Sequence, residues 1–121
     1  MQRNKTSENA VTYAKGVKAL GKYIYNQCNE DDYGYNLTKD FLKLLPVEED
    51  LDESDKICSD FFDQINESKN KLIIDDRNKE ETHEAMKRIM VLNSKEQFID
   101  DVTKLIAASM NLGLQFNNLL E

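Results

Sequence analysis

The segment SENAVTYAKGVKALGKYIYNQC, residues 7–28, sets how the rest of the chain is read. Its apolar residues Ala10, Tyr13, Ala14, Val17, Leu20, Ile24 and Cys28 recur at steps of three and four, which gathers them on one face of a helix. The spacing predicts an amphipathic helix from Ser7 to about Cys28, with residues 1–6 as a flexible tail. Gly21 falls on the same stripe and costs roughly 1 kcal/mol of helix stability relative to Ala. Close approach of a neighbouring helix is the expected compensation. Lys15, Lys18 and Lys22 lie opposite and are expected to form a solvated face.

The same periodicity continues downstream. Residues 28–36, CNEDDYGYN, have the composition of a loop. Asn36 can cap a short helix over 37–45 carrying Leu37, Phe41, Leu44 and Leu45, which Pro46 would stop. Val47, Leu51, Cys58, Phe61, Ile65 and Leu72 share a stripe and predict one long helix over 47–72, with its acidic residues in the first turns. Asp50–Ser54 begins like a calcium loop, but Asp55 stands where that loop needs Gly, so the stretch reads as a helix start. A third helix over 76–92 buries Ala85, Met86, Ile89 and Met90, after a break near Ile74–Asp76. A fourth is expected to begin at Ser94, with Gln97 completing a capping box, and to bury Phe98, Val102, Leu105, Ile106, Ser109, Leu112, Phe116 and Leu119. The fold expected is all-α: one domain over 1–121, an antiparallel bundle of four main helices with a short extra helix near 37–45.

Composition agrees and limits the functions. Four glycines, one proline, no tryptophan and 32% charged residues suit helices better than a sandwich or barrel. No apolar run has signal-peptide or bilayer length, so no membrane role is expected. Cys28 and Cys58 stand apart from any disulfide framework or metal-ligand spacing and read as free thiols in a reducing cytoplasm. The triplets beginning at Asn4, Asn36 and Asn66 match a glycosylation pattern that an Asn-rich chain produces by chance. The net charge is −7, yet residues 1–22 hold five cations and one anion, leaving 11 cations against 22 anions beyond them. So acidic a body repels nucleic-acid phosphates and favours a protein partner with a basic surface.

The stretch DDRNKEETHEAMKR, residues 75–88, contains the only histidine. Arg77 and His83, with Asn78 after the arginine, resemble the Arg-x4–6-His motif of HEPN ribonucleases. That resemblance implies a histidine that handles protons and an arginine that stabilises phosphate charge. Glu80, Glu81 and Glu84 resemble the first half of the EExxE…ExxD signature of MazG-type nucleotide pyrophosphohydrolases, whose carboxylates hold magnesium. The second half departs from the pattern: Gln97 stands where the glutamate before Asp100 is required, with Glu96 one residue out of register. Glu80-x-x-His83 matches half of a ferritin-like di-iron site, which needs a second histidine that the chain lacks.

No complete catalytic set remains. The chain therefore reads as a small acidic, non-catalytic interaction protein of the inhibitor, immunity, adaptor or chaperone kind, with no cofactor, no bound metal and no nucleic acid. Its expected contact residues are Tyr33 and Tyr35 on the loop, and the acidic run Glu48, Glu49, Asp50, Asp52, Glu53 and Asp55. A homodimer is left open.

Overall fold

In the computed structural model residues 2–114 are described, with side chains from residue 9 onward. The elements are α1 (Gln2–Gln27), α2 (Asp32–Lys43), α3 (Leu51–Asn66), α4 (Lys71–Ile74), a 3-10 turn (Asp76–Asn78), α5 (Lys79–Glu96) and α6 (Val102–Asn111). The described chain is all helix, turn and loop. Residues 2–6, expected as a tail, are the first turns of α1, where Gln, Arg and Lys are all good helix formers.

α1 buries Ala10, Ala14, Val17 and Ile24 as the spacing requires, while Tyr13 stays exposed. Gly21 serves close approach: a Cβ there would stand 3.0 Å from Cζ of Phe41 on α2. The loop after α1 is shorter than expected, because Asp31 caps α2 by accepting a hydrogen bond from the Gly34 N–H at 2.8 Å. Asn36 is thus inside the helix. Gly34, which made the segment look like a turn, is needed because a Cβ would collide with the backbone carbonyl of Asn29. α2 packs between α1 and α5, so the helix expected as an accessory is central.

The long helix expected over 47–72 is two. Asp50 caps α3 and accepts from the Glu53 N–H at 3.2 Å. Val47 precedes the helix, buried, with its N–H donating to Ser54 Oγ at 3.2 Å. After Asn66 the chain turns through Ser68 at φ 52°, and Asn70 starts α4, which carries Leu72 and Ile73 into the core.

The break near Ile74–Asp76 is present, but α5 runs on to Glu96. Ser94 lies in its last turn and Gln97 ends it at φ 48°, so the capping box does not form. Asp101 caps α6 instead, accepting from the Thr103 N–H at 3.0 Å. Leu105, Ala108 and Ser109 are buried on α6 while Val102 and Ile106 are exposed. Phe116 and Leu119 lie outside the described residues.

Cross-links give the helix directions. Tyr23 meets Tyr33 and Gly21 meets Phe41, so α1 and α2 are antiparallel. Lys18 pairs with Glu53 at the start of α3, and Tyr25 shares a groove with Glu67 just past its end, so α1 and α3 run parallel. Asp55 meets Asp100 and Asn66 meets Asn111, which makes α3 and α6 parallel too. Asn78 reaches the Tyr35 carbonyl and Arg88 the Leu42 carbonyl, giving parallel α2 and α5. Consecutive long helices therefore reverse direction. α2 and α5 start at one end, here the upper, and α3 and α6 start at the lower. Between the ends, Leu42, Phe61, Phe62, Met86, Ile89 and Leu105 form one apolar core.

Candidate recognition surface

The upper end receives Tyr33, Tyr35, Arg77 and His83. Tyr33 and Tyr35 sit in the first turn of α2, and their fates differ. Tyr33 is 61% exposed, with its hydroxyl against that of Tyr23, whereas Tyr35 is 7% exposed and donates its O–H to Asp75 Oδ2 at 3.2 Å. The guanidinium of Arg77 lies 4.4 Å from the centre of the Tyr35 ring and 3.6 Å from Asp32. It is held by a cation–π contact and an exposed ion pair.

His83, in the second turn of α5, lines a different cleft with Asn66, Asp76, Lys79 and Asn111. Burial, then the charges of Lys79 and Lys87, hold its imidazole below the usual histidine range, so it is neutral at pH 7. Its Nε2 is buried and has no hydrogen-bond partner among the described residues. The structure does not bring Arg77 and His83 into one cavity.

The carboxylates of the MazG-type resemblance are also apart. Glu80 and Glu84 are exposed, Glu81 is half-buried, and Glu84 pairs with Lys87 at 3.6 Å. Asp100 and the out-of-register Glu96 lie at the lower end of α5, roughly 18 Å of helix rise from Glu84. Among the described residues no three His, Cys, Asp or Glu side chains are grouped to hold a metal ion.

The acidic run Glu48–Asp55 is at the lower end, about 15 Å of α2 away from Tyr33. The tyrosines and this run are thus two surfaces. Within the run, Asp50 is spent on the α3 cap, and Glu53 pairs with Lys18 at 3.7 Å and Lys56 at 3.4 Å. Glu48 and Glu49 face a cleft that Lys43, Lys87, Arg88 and Lys95 also line. Asp52 and Asp55 meet a second acidic pair from far along the sequence. The backbone N–H of Asp100 reaches Asp55 Oδ1 at 3.4 Å. Burial, and the charges of Asp100, Asp52 and Asp101, raise the Asp55 carboxyl above the ordinary range, against the lowering effect of that N–H. Four aspartates from two segments therefore form one edge beside the N-termini of α3 and α6. Asp52 and Asp100 are exposed there with no ion-pair partner among the described residues. Both helix starts present positive dipole ends, which lowers the cost of gathering the carboxylates.

Sequence reasoning missed Asp100 and Asp101 as partners of the acidic run, since only the parallel packing of α3 and α6 joins them. It also missed Arg88, whose Nε and Nη2 donate to the carbonyls of Leu45 and Leu42, each at 2.8 Å. The available signal was position: Arg88 is three residues from Ala85, at the border of the apolar stripe. Comparison with protein families, curated proteins and solved structures finds no match, so the geometry alone bears on function.

Proposed function

We propose that this chain is a small non-catalytic recognition domain that binds a basic surface of another protein through its lower acidic edge. The observation that carries the reading is the convergence of Asp52, Asp55, Asp100 and Asp101, close enough to act on the ionisation of Asp55. Like charges held this close repel one another, and a partner's Lys or Arg side chains would relieve that repulsion. The charge field of a −7 chain would also steer such a partner and raise its association rate. An inhibitor, immunity factor, adaptor or chaperone would each work this way. A cytoplasmic setting fits the two free thiols. No helix among the described residues is long and apolar enough to cross a membrane.

Titrating the 15N-labelled protein with an arginine-rich peptide tests the reading. The expected result is a set of amide shifts centred on 52–55 and 99–103 that weakens as salt is added, and that Asp52→Lys with Asp100→Lys removes. Shifts centred on Asp40 or Glu80, or spread over all the acidic residues, would contradict it.

A further inference from the structure

α1 and α3 leave a groove of about 260 Å³ between them. Its floor is apolar: Gly21, Phe41, Ile57 and Phe61. Because Gly21 has no side chain, the Phe41 ring comes within 3.0 Å of where a Cβ would stand and forms part of that floor. The walls are charged and asymmetric. Most of those charges are already used: Lys18 pairs with Glu53 at 3.7 Å, Lys69 with Glu67 at 2.9 Å, and Asp63 with Lys104 at 3.1 Å. What remains is Lys22 on the α1 wall and Asp60 on the α3 wall, both exposed and without an ion-pair partner among the described residues.

An apolar floor between a cation and an anion that form no ion pair among the described residues is complementary to a ligand with an apolar body and both charges. The volume lies just below the usual range of small-molecule sites, so it suits only a small ligand and excludes anything as large as a dinucleotide. We propose that this groove binds a small zwitterion of that kind, a free amino acid with an aromatic or large aliphatic side chain. The side chain rests on Phe41 and Phe61, the carboxylate faces Lys22, and the ammonium faces Asp60. This site is separate from the acidic edge and does not depend on it.

The test is a 15N titration of the full chain with L-phenylalanine, phenethylammonium and 3-phenylpropionate, which share a ring and differ in charge. Saturable shifts at Gly21, Phe41, Ile57 and Phe61 are expected for all three, with L-phenylalanine the tightest. Lys22→Gln should weaken L-phenylalanine and phenylpropionate, and Asp60→Asn should weaken L-phenylalanine and phenethylammonium, each by roughly twofold to fivefold, the range of one exposed ion pair. Both residues are exposed, and unchanged spectra of the unliganded variants would show the fold intact. Absence of saturable shifts at the floor residues at millimolar ligand would overturn the proposal. So would binding to which both substitutions are indifferent.

Discussion

His83 is the only histidine, so protonation between pH 5.5 and 7 reports almost entirely on one side chain. Its folded pKa lies below the ordinary value of 6.5, so the unfolded chain takes up the proton first. Its contribution to stability is therefore complete above pH 6.5 and declines as the pH falls through that value, until the folded chain is protonated too. Urea unfolding on either side of pH 6.5 should show that decline, and His83→Gln should flatten it; an equal slope in the variant would contradict the assignment. Cys58 offers a second check. Burial pushes its thiol up to about 12, so at neutral pH almost no thiolate exists. Iodoacetamide should leave Cys58 unmodified in the folded protein and alkylate it in urea. Residue character of this sort was partly legible: the isolation of both cysteines predicted free thiols, but only packing separates buried Tyr35 from exposed Tyr33.

Helix boundaries turn on caps, and the caps are testable. Asp101→Ala removes the acceptor for the Thr103 N–H and should cost about 1 kcal/mol by denaturant unfolding. Ser94→Ala, by contrast, should be nearly silent, because Ser94 caps nothing. Arg88→Met strips two charge-assisted hydrogen bonds from the end of α2 and should cost roughly 1.5–3 kcal/mol. Arg88→Lys should not restore the loss, since a single ammonium cannot reproduce a fork that spans two carbonyls. The helical stripes themselves were readable throughout, because burial imposes the 3.6-residue period wherever a helix covers the core. Boundaries were less readable for a physical reason. Ser-x-x-Gln at 94–97 is compatible with both a helix start and a helix end, and the Asn and Ser residues at 66–70 end α3 without disturbing the apolar spacing across the break.

For the whole molecule, the all-helical class followed from composition and period, while the parallel pairing of α3 with α6 did not, since no local pattern records which helices become neighbours. That pairing makes the acidic edge. The lengths of α5 and α2, in turn, separate Glu80–Glu84 from Asp100 and the tyrosines from the acidic run. Relieving the crowding should be visible in titration: Asp100→Asn is expected to lower the Asp55 pKa, followed by carboxyl 13C NMR. The most direct test of the recognition reading is affinity capture from a lysate of the native host with the wild-type chain and with Asp52→Lys/Asp100→Lys, each at low and high salt. The expected result is a protein with a basic surface that the wild type retains at low salt and releases at high salt, and that the double variant fails to capture. Equal capture by both chains, unaffected by salt, would contradict it.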